Sequence, residues 1–302
     1  MDTDGSRQSD QSWELSKWRN EDWCPDGLYN APWYSASEPI IIGGCPRSGS
    51  TLLRLLLGGH KDLIDGPETH LFLPLPIDTM RLESRFRMPP GSLEGIHDAA
   101  RTRGAFIEEF QKFLLAHSGC RRWVEKTSRN VHSFGWIRDR FPSATLLHII
   151  RDPRDVVASL RTHPRFKRGR RERVISNWQQ PWSECIDRWK RCVQDGIRLR
   201  SSTRYLEVIY ESLVSDPEGT LRRVCAHAGL QFDPSMLNIE TRREKMVGAL
   251  RPFVINNLEA GEPITLDSIG RWRQELPTEV LSDIQARLGD LALLTGYSLE
   301  GE

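Results

Sequence analysis

Apolar residues along the chain follow two spacings. Consecutive large or β-branched residues occur at Ile40-Ile41-Ile42, Leu63-Ile64, Trp123-Val124, Thr145 to Ile150 and Arg204 to Tyr210. Each run is shorter than a helix and is bounded by turn-forming or charged residues, so each predicts a strand. Between the runs the spacing lengthens to three and four. Leu52 to Leu57 predict a helix from Gly49 to about Gly58 with the Gly58-Gly59 pair as its C-cap, and Phe106, Phe110, Phe113 and Leu114 predict one over about 104–118. A helix ending at Phe141 comes next, stopped by Pro142. Another opens on Asp152-Pro153 as N-cap and N1 and buries Val156, Val157 and Leu160. Further helices are expected from about 174 to 200, from Asp216-Pro217 to a stop at Gly229, and over about 277–294. Residues 76–103 have no clear period and read as an insertion with some helix, and Trp272 is expected in a loop. Strands alternating with helices predict an α/β fold, a central parallel sheet flanked by helices. Ligands of such sheets lie beyond the carboxyl ends of the strands, where Gly44 to Ser50, Lys126, Arg151 and Tyr210 emerge.

Residues 1–38 form an N-terminal arm. About the first 12 are polar and expected to be disordered, and the rest carries Trp13, Trp18, Trp23 and Trp33. Tryptophan is costly to leave in water, so the arm is expected to pack on the body or on a partner subunit, which offers a route to oligomers; a substrate lid is the other reading. No linker, repeat or low-complexity block follows, and 39–302 is expected to be a single domain. Lys+Arg 42 against Asp+Glu 41 leaves a net charge of +1, which gives no global reason to expect nucleic acid as a partner. Locally, Arg161 to Arg173 holds seven Lys/Arg and one acid, Glu172. That stretch reads either as a solvated loop or as a border of an anion site. The 6 cysteines form no C-x-x-C pair, which argues against a disulfide framework or zinc site. The polar, acidic N-terminus is unlike a signal peptide, and no apolar run reaches the ~20 residues of a membrane span. A soluble cytoplasmic protein is expected.

Chemistry concentrates at residues 40–52. A buried strand runs into Gly43-Gly44-Cys45-Pro46-Arg47-Ser48-Gly49-Ser50-Thr51, which opens a helix. Unpaired N–H groups at a helix start, with the helix dipole, bind anions. Gly44, four residues and Gly49 reproduce the frame of a phosphate-binding P-loop, and Thr51 falls where that frame has Ser or Thr. The fold class is therefore a three-layer P-loop-like α/β domain. Ser50, however, replaces the lysine that reaches the β- and γ-phosphates in nucleotide triphosphatases. Arg47 is left as the loop's cation, and its planar fork suits a tetrahedral oxyanion. Cys45 also lies in the loop; the sequence places no His or Asn beside it, which weakens its reading as a nucleophile.

The set of motifs resembles the sulfotransferases that use 3′-phosphoadenosine-5′-phosphosulfate (PAPS), most closely the branch that includes the tyrosylprotein sulfotransferases. The matching pieces are Gly43 to Thr51, Pro67-Glu68-Thr69, Glu125-Lys126-Thr127, Ile150 to Ser159, Tyr210 to Val214 and Gly270-Arg271-Trp272. The resemblance implies that Arg47, Ser48, Gly49, Ser50 and Thr51 hold the 5′-phosphosulfate, with Arg47 facing the sulfuryl group. It implies that Arg151 and Ser159 hold the 3′-phosphate, that Glu68 is the base and Lys126 a cation near the transferred group, and that Tyr210 and Arg271 contact the nucleotide. His70 is an alternative base. Sulfate carries less charge than a terminal phosphate, so no metal is expected.

The resemblance has departures. Gly270 stands beside Arg271 where a serine is the closer match, and the signal anchor expected of a Golgi enzyme is absent. The expected acceptor is therefore the hydroxyl of a small molecule, a metabolite, lipid or sugar, with peptide tyrosine as the alternative. A P-loop small-molecule kinase with Ile150-Arg151-Asp152 as a degenerate metal-binding strand end, or a non-catalytic nucleotide-binding protein, are the other readings.

Overall fold

In the computed structural model, which describes residues 33–162, 179–238 and 265–299, five strands are β1 (Ile40–Gly44), β2 (Leu63–Asp65), β3 (Arg122–Lys126), β4 (Thr145–Ile150) and β5 (Tyr205–Ile209). All pair in parallel, in the order β2-β3-β1-β4-β5. Every residue of β1, β3 and β4 is buried, as expected of central strands covered on both faces, whereas the outer strands β2 and β5 keep partly exposed positions. The two-residue period of the strands divides the core. Ile41, Trp123, Leu146 and Ile150 lie on one face. Ile40, Ile42, Val124, Leu147, Ile149 and Val208 lie on the other. Each such side chain contributes about 1.5–3 kcal/mol when fully buried.

The helices are α1 (Ser50–Gly58), α2 (Thr79–Phe86), α3 (Glu94–Ala99), α4 (Arg103–Ser118), α5 (Phe134–Arg140), α6 (Pro153–Arg161), α7 (Trp182–Ile197), α8 (Tyr210–Ser215), α9 (Pro217–His227), α10 (Trp272–Glu275) and α11 (Thr278–Leu294). Leu53 and Leu57 of α1, Leu213 of α8 and Leu221 of α9 cover the Ile40 face. Phe106 and Phe110 of α4, Val156 of α6, Trp189 of α7 and Ile284 of α11 cover the Ile41 face. Asp152 caps α6 through the N–H of Arg154, and Asp216 caps α9 through that of Gly219, each followed by Pro at N1.

Several expectations need correction. Trp272 is the first residue of α10, not part of a loop, because Asp155 accepts its N–H and that of Gly270 and pins the segment into a helical turn. Gly59 is the C-cap of α1, as expected, and it adopts a right-handed conformation (φ −66°). It is glycine because a Cβ there would lie 2.6 Å from Met236 Cα. The stretch before Pro142 starts as a 3-10 turn, Ser128–Ser133, and only then becomes α5. Helix α7 begins after Pro181, later than periodicity indicated, and residues 174–178 lie outside the described residues. The insertion does contain helix, α2 and α3. Trp33 packs edge-on against Phe141 at 5.6 Å, so the end of the arm does dock on the body. Trp13, Trp18, Trp23 and residues 163–173 of the basic stretch lie outside the described residues. Among the described residues, no helix is long and apolar enough to cross a membrane.

Candidate active site

β1 and β4 end side by side and deliver the loop 45–49 and Arg151 to one crevice. The loop turns through two left-handed residues, Arg47 (φ 76°) and Gly49 (φ 88°). At Gly49 glycine is required twice, because the Tyr210 ring lies 2.2 Å from where a Cβ would sit. Arg47 has no such freedom, and a non-glycine residue held in this region costs about 1–3 kcal/mol. Contacts with Arg151 and Ser159 help to hold it. Arg151 Nη1 donates to the Arg47 carbonyl at 3.1 Å, and Arg47 Nε donates to Ser159 Oγ on α6 at 3.0 Å. The Arg151 guanidinium also donates to the Ser268 carbonyl, lies 3.8 Å from Asp155 and stacks 4.5 Å from the Tyr210 ring centroid. Tyr210 and Ser268 share a 2.6 Å hydroxyl hydrogen bond.

Arg47, Gly49, Arg151, Ser159 and Tyr210 therefore converge, although they come from three separate stretches. Ser50 Oγ is 3.0 Å from Ser128 Oγ, and Thr51 is half-buried on the first turn of α1. Two polar atoms here are buried with no hydrogen-bond partner among the described residues, Ser48 Oγ and Arg151 Nε. A buried polar group left unpaired costs about 1–3 kcal/mol, so such atoms fit a cradle completed by an anionic ligand. Arg271 is not drawn in: its exposed guanidinium pairs with Glu275 at 2.7 Å.

A second group sits beyond the end of β3. Lys126 is buried, and its Nζ donates to Glu68 Oε1 at 2.5 Å. Burial alone pushes the Glu68 carboxyl up, but the Lys126 charge and hydrogen bond, with His70 and Arg85 nearby, bring it below its ordinary value. Glu68 is thus ionised at neutral pH. His70 Nε2 lies 3.9 Å from Glu68 Oε2. Burial, helped by Arg81, Arg85 and Arg129, lowers its pKa to about 4 against the pull of Glu68, so the ring is neutral. The link between this group and the loop is the Ser50–Ser128 bond, two residues after Lys126.

Beneath the pair is a feature that sequence reasoning missed. Glu125 is fully buried and accepts from Thr69 N at 3.2 Å, Thr69 Oγ1 at 2.9 Å, Thr127 Oγ1 at 2.7 Å and Asn130 Nδ2. It ties the Glu68-Thr69-His70 segment to the end of β3, so Glu68 and Lys126 meet. Burial pushes its pKa up, opposed by these same donors. A carboxylate inside an otherwise buried strand was the available signal. Arg85, which donates to the Glu68 carbonyl, and Ser268 gave no signal.

These groups define an α/β group-transfer enzyme, with an oxyanion cradle at the carboxyl end of its sheet and an ionised carboxylate held by a buried lysine. A profile described as the sulfotransferase family matches residues 39–234. Protein-tyrosine sulfotransferase A of Caenorhabditis elegans is 25% identical over 268 residues, covering 84% of this chain and 66% of that protein. The chain thus spans just under two-thirds of that relative's length. The sulfotransferase domain from the olefin synthase of Synechococcus PCC 7002 matches with TM-score 0.64 and 23% identity over 89% of this chain and 99% of that one. Mouse sulfotransferase SULT7A1, solved in complex with PAP, matches with TM-score 0.50 and 12% identity over 90% and 92%. The two structural likenesses speak to fold alone. The chain belongs to the sulfotransferase family.

Proposed function

We propose that this sulfotransferase moves a sulfuryl group from PAPS to a hydroxyl of a small-molecule acceptor. The observation that carries the reading is the Glu68–Lys126 pair at 2.5 Å beside a P-loop frame with serine at position 50. In this reading the loop N–H groups, Ser48, Ser50, Thr51 and Arg47 take the phosphosulfate, and Arg151 with Ser159 takes the 3′-phosphate. Tyr210 lies against Gly49 as a wall of the nucleotide site, and Arg271 reaches the nucleotide only by leaving Glu275. The acceptor oxygen attacks sulfur in line, the bond from sulfur to the bridging phosphate oxygen breaks, and the hydroxyl proton passes to a Glu68 oxygen. Lys126 and Arg47 stabilise charge on the transferred group and on the departing phosphate. Glu68 is favoured over His70 as base because its carboxylate is held in place by Lys126 and is the more exposed of the two side chains.

The kinase reading loses ground at Asp152. Its carboxylate caps α6 and is held by the Arg154 guanidinium at 2.8 Å, a poor position for a metal carboxylate. The discriminating experiment is a thermal shift with adenosine 3′,5′-bisphosphate against ATP with Mg²⁺. Stabilisation should appear with the bisphosphate, following mass action; a response to ATP–Mg²⁺ alone would sink the proposal.

Peptide tyrosine is a second reading, supported by the C. elegans relative's name and by Arg81, Arg85 and Arg129 around Glu68 and His70, which suit an anionic acceptor. Donor turnover with tyrosine peptides rich in acidic residues, set against small hydroxyl compounds, separates the two.

A further inference from the structure

The carboxyl end of the sheet holds a second cluster, unused by the transfer chemistry. On α7, Cys192 Sγ lies 3.6 Å from His132 Nε2, and His132 Nδ1 lies 2.7 Å from Asp195 Oδ2, one turn further along α7. This is the arrangement of a thiol, a base and a carboxylate that orients the base. The Cys192 thiol also meets that of Cys45, the first residue of the donor loop, and both belong to the core on the Ile41 face. Cys192 is fully buried, whereas the side chain of His132, in contact with its sulfur, is 21% exposed.

We propose that Cys45 and Cys192 form an oxidisable pair, with hydrogen peroxide as the class of oxidant, whose disulfide disables the donor loop. The chemistry divides the roles. His132, held by Asp195, favours the Cys192 thiolate, while burial and the neighbouring sulfur hold Cys45 as the thiol. Arg129 faces Cys192 and Arg188 faces Cys45, and both favour negative charge on sulfur; Asp195 opposes it at Cys192 and Cys185 opposes it at Cys45. The thiolate attacks one peroxide oxygen, the O–O bond breaks, and the leaving hydroxide takes the proton from His132 to become water. Cys192 is now a sulfenic acid, oxidised by two electrons. The Cys45 sulfur then attacks it, an S–S bond forms, and the sulfenic oxygen leaves with the thiol proton as a second water.

The consequence for the loop follows from its contacts. An S–S bond is about 2.05 Å long, so closing it draws Cys45 toward α7. Arg47, two residues on, is fixed by Arg151 at 3.1 Å and Ser159 at 3.0 Å in a left-handed conformation that tolerates little displacement. Donor affinity should fall.

The test uses the full chain treated with hydrogen peroxide, then alkylated and mapped by mass spectrometry. A Cys45–Cys192 cross-link is expected. With it, affinity for adenosine 3′,5′-bisphosphate should drop at least tenfold and return with dithiothreitol. Cys192→Ser should keep the untreated affinity and resist peroxide, Cys185→Ser should respond as the parent does, and His132→Gln should oxidise severalfold more slowly. A Cys45 that remains alkylatable, or that joins Cys185 instead, overturns the proposal, as does a cross-linked protein with unchanged affinity. The affinity readout rests on the proposed donor site but the mapping does not. Absence of any bisphosphate response in untreated protein therefore counts against the donor reading alone.

Discussion

Glu68 carries the sharpest expectation. Glu68→Gln keeps the shape and the hydrogen bond with Lys126 but removes the proton acceptor. Turnover should fall about 10²–10⁴-fold, the usual worth of a positioned base, while the bisphosphate thermal shift persists; kcat close to that of the parent would remove Glu68 from the mechanism. The pH profile tests Lys126 through the same carboxylate. Burial raises the Glu68 pKa, and Lys126 supplies the largest opposing effect. In Lys126→Ala burial is less opposed, so the acid limb of kcat/KM should move to higher pH, and a limb that stays put or moves down contradicts the pairing. Arg151→Ala should abolish the bisphosphate response, because the guanidinium holds the Arg47 carbonyl and is the group proposed to take the 3′-phosphate. The placement of Arg47, Lys126 and Arg151 at the carboxyl end of the sheet was legible in the sequence, because each follows a buried strand run or lies in the glycine loop. Glu125 was not, since its meaning lies in Thr69 and Asn130, partners that only the fold brings to it. Cys45 was weighed alone, and its partner Cys192 stands on a distant helix.

Elements were readable where packing is simple. β1 and β4 are short, mainly apolar runs because they are covered on both faces, and α6 and α9 announce themselves through Asp-Pro starts. The short α10 carries no period and forms because Asp155 reaches its N–H groups, a tertiary cause invisible to periodicity. The junction of α1 with β2 shows how the donor loop is anchored from behind. Arg54, in the middle of α1 and 4% exposed at its side chain, donates to Asp65 at 2.5 Å and to the Gly66 carbonyl at 3.1 Å. Asp65→Ala leaves a buried guanidinium with one neutral acceptor. Removing one partner of a buried pair costs about 3–5 kcal/mol, and urea unfolding should show a midpoint lowered accordingly with unchanged slope. A loss under about 1 kcal/mol, the range of an exposed pair, would show that water already screens the contact.

At the scale of the whole molecule, the parallel sheet could be anticipated from strand and helix alternation, and its strand order explains why distant stretches meet. β1 lies between β3 and β4, so the loop after it borders both Lys126 and Arg151. The acceptor was not legible, because the segment beside Glu68, around α2, has no period from which its shape could be read. The net charge of +1 means that no global field draws a charged acceptor in. Beside Glu68, local charge is supplied by Arg81, Arg85 and Arg129, which all act on His70. Of these, Arg81 is the exposed one. Exposed charges are screened over about 8 Å at physiological ionic strength. If the acceptor carries a carboxylate, sulfate or phosphate, its KM should rise severalfold from low to high salt, while that of a neutral hydroxyl compound stays level. Arg81→Ser should flatten this dependence and leave the bisphosphate affinity unchanged. Equal salt dependence for neutral and anionic acceptors would mean that the arginines serve only to hold Glu68 and His70 in place.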